Sequence, residues 1–315
     1  MKQKLVATLV ALSLAAGALF YSSSHQDLTI EGQFNAWKKE FNIGADFNSA
    51  ENLYRMKIFE QNLEEINTHN SLLGRSYEMG FNQFTHLTKE EFTEQFLIKF
   101  DKNENYKEIE VQSISNGPTV DWVSYGAVSP VKYQGQCTAS YAFSAVGAIE
   151  GVSVIFFKNQ QEYSVQQVVD CSSGYGNNGC YNGRMDNTFN YVRAVGINSW
   201  SSYPYVGFLQ QCKTSSGFFK VNGSIAITDC NSLANALLGR PVSVAVDGQN
   251  FQNYKSGIFG NCGTNLSLPV LLVGMTDSYW NLKNSWGTTW GENGYIRIYR
   301  GNTCGVCMAA SYPSV

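Results

Sequence analysis

The stretch from Gln134 to Ser144 reads Gln-Gly-Gln-Cys-Thr-Ala-Ser-Tyr-Ala-Phe-Ser, and an apolar run continues from it to Phe157. From Ser140 onward small, aliphatic and aromatic residues fill almost every position, and Glu150 is the one charged residue of the run. A run of this length without a polar face predicts a single, mostly buried helix from Ser140 to Phe157. The chain can therefore bury a substantial core around it.

Two strand patterns follow this helix, at Val242–Val246 and Tyr295–Tyr299. The chain has 315 residues, of which 43% are hydrophobic and 15% charged, so we expect two or three compact units and no general disorder. The formal net charge of -3 includes no basic stripe. A nucleic-acid partner therefore has no electrostatic support.

The N-terminus has the pattern of a targeting segment. Two lysines precede an apolar run from Leu5 to Phe20, which ends near small residues. This pattern predicts a signal peptide over residues 1–24, since a membrane-spanning helix requires a longer run. No membrane association is expected after its cleavage. Two Asn-x-Ser sequons, which begin at Asn222 and Asn265, predict glycosylation in the secretory pathway.

Charge and cysteine content divide the rest of the chain. Residues 25–115 contain 9 Lys and Arg against 16 Asp and Glu, whereas residues 116–315 contain 11 against 9. All eight cysteines lie in the second part. The polar stretch from Asn103 to Pro118 has no apolar period, which predicts a linker open to proteolysis. We therefore predict domains at 25–115 and 116–315.

The first of these domains is helical in pattern. Phe34, Trp37 and Phe41 follow helical spacings. Six further residues are spaced by four, four, three, four and four positions, which places them along one helix face. These residues are Glu51, Arg55, Phe59, Asn62, Ile66 and Asn70. An ordinary amphipathic helix with an i,i+4 Glu–Arg pair would show the same spacing.

The six-residue spacing resembles the interspersed motif in the pro-region of papain-type cysteine peptidases. Gly80-Phe81-Asn82-Gln83-Phe84 follows where their second pro-region motif lies, with His86 at a position that is usually Asp. The second domain matches the same family in order. The matching segments are Val120-Asp121-Trp122, Gly126-Ala127-Val128, Gln134-Gly135-Gln136-Cys137, Ala142-Phe143-Ser144, Val169-Asp170-Cys171-Ser172, Tyr203-Pro204-Tyr205 and Asn284-Ser285-Trp286-Gly287.

The resemblance, closest to cathepsin L-like pre-pro-proteins, covers residues 30–315. It implies an α+β, papain-like two-lobed fold, with a helical lobe, a β-barrel-like lobe and a cleft between them. It also implies that residues 25–115 form a helical inhibitory pro-region and residues 116–315 the peptidase domain.

The resemblance places two unexpected residues at the catalytic positions. Ser140 stands where the family has its nucleophilic cysteine, and Leu268 stands where it has its histidine base. All three histidines of the chain lie in the predicted pro-region, so the predicted peptidase domain has no imidazole. Gln134 matches the oxyanion-hole amide, Asn284 the amide that orients the imidazole, and Trp286 the residue that shields it.

Two alternatives would keep an active serine. The first is a Ser–Lys dyad, a catalytic architecture known from other hydrolases, in which Lys283 would be the base. The sequence does not determine which face of its predicted strand Lys283 occupies. A serine nucleophile also resembles the silica-forming silicateins, but these relatives keep the histidine that Leu268 replaces here.

The resemblance also identifies residues of the cleft. Asn182 takes the place of a glycine in the cleft wall beside Gly183, and we expect it to narrow the cleft. Tyr141, Leu268 and Pro269 make the cleft floor more apolar. This favours a hydrophobic ligand or closure by the pro-region.

The cysteine pairing follows from the resemblance. It implies bridges Cys137–Cys180, Cys171–Cys212 and Cys262–Cys304. Cys230 and Cys307 remain, and a fourth bridge between them is the simplest assignment. The spacing Cys304-x-x-Cys307 could instead bind zinc, but no second pair or histidine lies nearby. We expect no metal and no other cofactor.

Together these observations favour a catalytically inactive family member that acts by binding or scaffolding in the secretory route, in the lysosome or outside the cell. Expected partners are a peptide or protein in the cleft, the chain's own pro-region and, for a decoy, cystatin-type inhibitors. The alternative is an active endopeptidase with a displaced or serine nucleophile.

Overall fold

The computed structural model describes residues 29–98 and 118–315. The predicted signal peptide over residues 1–24 and nearly all of the predicted linker lie outside these described residues. Contacts divide the chain into two compact units, with the boundary between Glu65 and Ile66. This boundary lies inside helix Ser49–Ser71, so it separates two groups of contacts and does not mark the end of the pro-region. The division between pro-region and peptidase domain at 115/116 stays a prediction about processing.

Most helices of the described residues are short, apart from α2 with 23 residues and α5 with 18. In chain order they are α1 (Ile30–Phe41), α2 (Ser49–Ser71), α3 (Lys89–Phe96), α4 (Trp122–Tyr125), α5 (Ser140–Phe157), α6 (Val165–Cys171), α7 (Met185–Ala194) and α8 (Cys230–Leu237). The helix predicted at Ser140 to Phe157 is confirmed as α5.

The first unit has a small aromatic core of its own. Phe34 and Trp37 of α1 stack with their ring centroids 5.6 Å apart, and each lies 5.5 Å from the ring of Phe59 in α2. All three side chains are buried. Helix α1 begins after Thr29, whose hydroxyl accepts a hydrogen bond from Gly32 N. The helical pattern predicted for this region is confirmed.

The second unit is built on one sheet. Its strands are β1 (Tyr77–Met79), β2 (Val120–Asp121), β3 (Gly223–Ile227), β4 (Val242–Val246), β5 (Tyr254–Phe259), β6 (Leu268–Met275), β7 (Tyr279–Lys283), β8 (Tyr295–Tyr299) and β9 (Ala310–Ser314). They run in the order β1-β5-β8-β7-β6-β4-β9-β3, and β2 pairs with β6. The β5–β8 pair is parallel, and the other pairs are antiparallel. Both predicted strands are confirmed, as β4 and β8.

Two hydrophobic cores in the second unit define two lobes. One core lies against the sheet and contains Trp280, Trp286 and Trp290. The other surrounds α5 and includes residues of α6 and α7. Because successive side chains of a strand point to opposite faces, β6 contributes Leu272 to the first core and Leu271 to the second. This arrangement is the expected two-lobed α+β fold.

Helix α5 packs closely on its neighbours. A methyl group at Gly147 would lie 2.8 Å from Leu271 Cδ2, and one at Gly151 would lie 2.8 Å from Pro241. Glycine at these positions therefore allows the helix to approach β6 and the loop before β4. The helix is long and apolar enough to cross a membrane, but 72% of it is buried inside the fold. It is the central core helix of a lobe.

Four disulfides connect the elements of the second unit. All four predicted pairs are present, and they are Cys137–Cys180, Cys171–Cys212, Cys230–Cys307 and Cys262–Cys304. Cys304 and Cys307 belong to different bridges, so neither thiol of the Cys-x-x-Cys spacing is free to bind zinc.

Candidate functional site

Ser140 is the first residue of α5, and the Cys137–Cys180 disulfide holds the turn that leads into it. In this turn Thr138 N donates to Cys180 O at 3.1 Å. The Ser140 side chain is fully buried, and its hydroxyl has no hydrogen-bond partner among the described residues. A buried, unpartnered hydroxyl therefore lies at the N-terminus of the central helix.

Leu268 is the first residue of β6 and is fully buried in the sheet core. It pairs with Val246 of β4. A methyl group at Gly248 would lie 2.9 Å from Leu268 Cβ, which shows how closely this loop packs on the leucine. An aliphatic side chain can neither accept nor donate a proton, so position 268 supplies no acid–base chemistry.

The amide side chains of Gln134 and Asn284 are connected through Ser285. Ser285 Oγ donates to Gln134 Oε1 at 2.7 Å, and Ser285 N donates to Asn284 Oδ1 at 2.8 Å. The amide nitrogens, Gln134 Nε2 and Asn284 Nδ2, are buried without a hydrogen-bond partner in the described part of the chain. Ser140, Asn284 and Ser285 also line one pocket with a cavity volume of about 30 Å³. The structure therefore brings these predicted site residues together.

Trp286 lies in an aromatic cluster. Its ring meets those of Phe84, Phe92, Phe96 and Trp290 edge-on, with centroids 5.5, 5.2, 6.3 and 4.9 Å away. Each edge-to-face pair adds about 0.5–1.5 kcal/mol beyond the burial of its surface. The three phenylalanines belong to the predicted pro-region. This segment therefore shares a core with the sheet.

The same segment reaches Leu268. Ile98 N donates to Ser267 O at 2.9 Å. A methyl group at Gly248 would lie 3.1 Å from Leu97 Cδ2 and 2.9 Å from Leu268 Cδ2, so both leucines pack on this glycine. Leu97 belongs to the sheet core and Ile98 to the core around α5. Sequence analysis missed these contacts, although the apolar run at 96–98 could have indicated a buried segment.

The predicted cleft wall is formed by ordinary local contacts. Tyr141 is fully buried, and its hydroxyl donates to Gly179 O at 2.8 Å. A methyl group at Gly183 would lie 2.5 Å from the Tyr141 ring, so only glycine fits there. Asn182 Oδ1 accepts a hydrogen bond from Gly183 N at 2.7 Å. Its side chain thus folds back onto the backbone, and narrowing of the cleft by Asn182 stays a prediction. Pro269 is buried on β6.

Lys283 ends β7, and its side chain is buried. Its Nζ donates to Ser129 O at 2.7 Å and to Ser129 Oγ at 3.1 Å. Burial lowers the pKa of Lys283 to about 8, and the nearby carboxylate of Glu150 opposes this shift. Burial also raises the pKa of Glu150, which accepts hydrogen bonds from Ser129 Oγ and Tyr163 N. The lysine is thus engaged with Ser129, which favours a structural role over that of a base for Ser140.

Removing one charge of this buried group is expected to be costly. Glu150→Gln leaves the Lys283 ammonium without its counter-charge and should lower the free energy of unfolding by about 3–5 kcal/mol at pH 7, measured by urea denaturation. The loss should shrink above about pH 8, where Lys283 is neutral in the folded protein. The double variant Glu150→Gln with Lys283→Met should recover most of the stability.

A matched control is the exposed pair of Arg75 and Glu78, whose nitrogen and oxygen lie 3.1 Å apart. Glu78→Gln should change the free energy of unfolding by less than about 1 kcal/mol. Equal effects of Glu150→Gln and Glu78→Gln would contradict the account of the buried group.

The six residues of the N-terminal motif lie on α2. Glu51 Oε1 accepts from Arg55 Nε at 2.6 Å, as the i,i+4 spacing predicts. Phe59, Asn62 and Ile66 are buried. At the end of the helix, Asn70 Nδ2 donates to Met79 O at 2.9 Å and Asn70 Oδ1 accepts from Met79 N at 3.1 Å. The last residue of the motif therefore binds the backbone of β1.

The two sequons present exposed asparagines. Asn222 and Asn265 both have exposed side chains. Their glycosylation stays a prediction.

Residues 117–314 match the model of the papain family cysteine proteases, and residues 34–92 match the cathepsin propeptide inhibitor domain (I29). Cathepsin L 2 of Paramecium tetraurelia is 37% identical over 94% of this chain and 98% of its own length. Papaya proteinase 4 of Carica papaya is 39% identical over 89% of this chain and 86% of its own length.

Solved structures agree with these matches. Digestive procathepsin L 3 of Tenebrio molitor larval midgut has a TM-score of 0.80 at 35% identity and covers 92% of this chain and 100% of its own. A recombinant stem bromelain precursor has a TM-score of 0.81 at 32% identity and covers 91% and 99%. The fold is thus that of a papain-like peptidase domain with an N-terminal propeptide. The chain belongs to the papain family of cysteine proteases and carries an I29 propeptide inhibitor domain.

Proposed function

We propose that this chain is a papain-family protein that does not hydrolyse peptides and instead acts by binding. The proposal rests on the two positions that the resemblance assigns to the catalytic pair, which hold a serine at the start of α5 and a leucine at the start of β6. Residues 118–315 contain no histidine that could replace the missing base. The relatives named above are proteases, but activity in this family depends on these side chains.

The chemistry of acyl transfer supports the proposal. A serine hydroxyl titrates far above pH 7 and attacks a carbonyl only when an adjacent general base removes its proton. The Ser140 hydroxyl has no hydrogen-bond partner among the described residues, and Leu268 cannot act as a base. When triad members are removed from serine proteases, the remaining protein still accelerates hydrolysis only about 10³–10⁴-fold over the reaction in water. Peptide turnover at this level has no practical value to a cell.

The first partner in the proposal is the chain's own propeptide. Phe84, Phe92 and Phe96 pack around Trp286, and Ile98 bonds to the backbone beside Leu268. Without the catalytic pair the chain cannot remove this segment by itself. We therefore expect another protease to cut the linker, if it is cut at all. A peptide or protein ligand, or a cystatin-type inhibitor, would bind where the segment lies.

A secretory location accompanies the proposal. Four disulfides persist in oxidising compartments, and this supports passage through the secretory pathway. We expect the final compartment to be the lysosome or the extracellular medium.

A thiol-directed epoxide tests the central chemistry on chains that carry Phe92→Ala and have been nicked and freed of the N-terminal part, because position 140 is fully buried in the full chain. All cysteines in residues 118–315 are in disulfides, so we expect no covalent label by mass spectrometry. The Ser140→Cys variant provides the thiol control. Covalent labelling of the native sequence at any cleft residue would contradict the proposal.

One observation favours a second candidate, a hydrolase that uses Ser140. Asn284, which matches the orienting amide, lines the same pocket as the serine, and Gln134, which matches the oxyanion-type donor, is hydrogen-bonded to Ser285 of that pocket. A fluorophosphonate probe that labels Ser140, with loss of the label in Ser140→Ala, would support this candidate. Absence of the label supports the binding protein.

A further inference from the structure

Hydrogen-bond donors around Ser140 lack acceptors. Gln134 Nε2, Ser140 Oγ and Asn284 Nδ2 have no hydrogen-bond partner among residues 29–98 and 118–315. The three residues are 0%, 0% and 3% exposed. A buried polar group that stays unpaired costs about 1–3 kcal/mol. Ser140 and Asn284 line one pocket, and Gln134 is hydrogen-bonded to Ser285, which lines the same pocket. Three unpaired donors in this neighbourhood point to a ligand that supplies acceptors.

The hydrogen bonds of Ser285 determine what the two amides can offer. Ser285 donates to the oxygens of both side chains, through its hydroxyl to Gln134 and through its backbone N–H to Asn284. Turning either amide over would replace an oxygen by a nitrogen at these bonds and break them. The amides therefore keep their nitrogens, which only donate, toward the unpaired side.

The helix adds positive potential. Helix α5 has 18 residues, its N-cap residue Ala139 supplies no side-chain hydrogen bond, and its first turn contains no acidic residue. The N-terminus of a helix carries the positive end of its dipole and exposes free backbone N–H groups. Ser140 is neutral, whereas a thiolate at this position would carry a negative charge. An anion is therefore better tolerated here than in an active relative.

Charged side chains near the site are occupied elsewhere. Lys132, Glu150 and Lys283 line the same pocket as Ser140. Each has a hydrogen-bond partner outside the donor group. None of them supplies an acceptor to the three donors.

We propose that Gln134, Ser140 and Asn284, with the N-terminus of α5, form a binding site for the C-terminal carboxylate of a peptide. A carboxylate is an acceptor-only group with two oxygens, and its charge-assisted hydrogen bonds are about twice as strong as neutral ones. A peptide that merely crosses the site offers a single carbonyl oxygen without charge. This inference rests on the proposed binding function and names the chemistry of its ligand.

The propeptide segment lies next to the pocket of Ser140. Leu97 packs on the glycine that also contacts Leu268, Ile98 N donates to Ser267 O, and Pro269, the residue after Leu268, lines the pocket. Replacing Leu97 and Ile98 by glycine in the full chain removes their side chains from this place and keeps the anchors around Trp286. The variant Leu97→Gly with Ile98→Gly is therefore the protein for the test.

The test compares two forms of one neutral peptide. Fluorescein-labelled Gly-Ala-Leu-Phe-Gly, as the free acid and as the C-terminal amide, is titrated into this opened full chain at pH 7, and binding is followed by fluorescence anisotropy. We expect the acid to bind at least about tenfold more tightly than the amide. Gln134→Leu in the same background should reduce the preference to about twofold or less. Circular dichroism confirms that each variant is folded.

Equal binding of acid and amide would overturn the proposal, and so would binding of neither. A preference that survives Gln134→Leu would place the carboxylate elsewhere and would also overturn it. These outcomes differ from failure of the proposed function, which would appear as hydrolysis of the amide peptide. A cleaved peptide with no acid preference refutes both, whereas an intact peptide with no preference refutes only the carboxylate site.

Discussion

The double variant Ser140→Cys with Leu268→His is expected to hydrolyse peptide substrates at least about 10³-fold faster than the native chain, once the linker has been nicked and the N-terminal part removed from both, with Phe92→Ala in each to release it. A thiolate at the start of α5 would have the helix N-terminus and an imidazole to stabilise it. Asn284 Oδ1 has a second lone pair that can accept the imidazole N–H. Initial rates on a fluorogenic peptide between pH 4 and 8 measure the gain.

The single variants are the matched controls for this gain. Ser140→Cys alone lacks a base, and Leu268→His alone lacks the thiol. Because catalytic residues that act as a unit are strongly non-additive, each should remain within about tenfold of the native rate. A double variant that is folded and nicked but hydrolyses the peptide no faster than the native chain would contradict this prediction. It would mean that the cleft no longer binds or positions a substrate.

The second large effect concerns the propeptide. After an added protease has nicked the linker, we expect the N-terminal part to remain bound to the peptidase domain during gel filtration of the native chain. Phe92 is fully buried and its ring lies 5.2 Å from that of Trp286. Truncating a buried phenylalanine costs about 3–5 kcal/mol, so Phe92→Ala should weaken retention by about two to four powers of ten.

Leu73→Ala is the control for this experiment, since Leu73 is fully exposed on the same segment. Its retention should match that of the native chain. Release of the native N-terminal part immediately after nicking, at the same rate as in Phe92→Ala, would show that the aromatic cluster does not hold the segment.

Much of the fold could be predicted because it leaves local patterns. Helix α5 and strands β4 and β8 have the predicted bounds, since apolar runs of fixed period show where a buried element begins and ends. The disulfides followed from the resemblance rather than from spacing. The order of the sheet and the pairing of β1 with β5 could not be predicted, because pairing between distant segments depends on tertiary packing.

The site shows the same limit. Sequence identified Ser140, Leu268, Gln134 and Asn284, and the structure places three of them around Ser285 or one cavity. It could not show that Lys283 bonds to Ser129, since the strand that carries it has buried residues on both faces. Nor could it show which amide nitrogens stay unpaired. These facts depend on side-chain direction, which no residue pattern encodes.

The most direct test of the central claim is the hydrolysis rate of the native chain beside that of Ser140→Ala. Both carry Phe92→Ala, are nicked at the linker with an added protease that is then removed, and are freed of the N-terminal part by gel filtration, because a retained propeptide would keep the cleft closed. Both are then assayed on the same peptide from pH 4 to 8. We predict that the two rates are indistinguishable, because Ser140 has no base to activate it. A native rate that exceeds the Ser140→Ala rate by about tenfold or more at any of these pH values would contradict the account and make this protein a serine-dependent hydrolase.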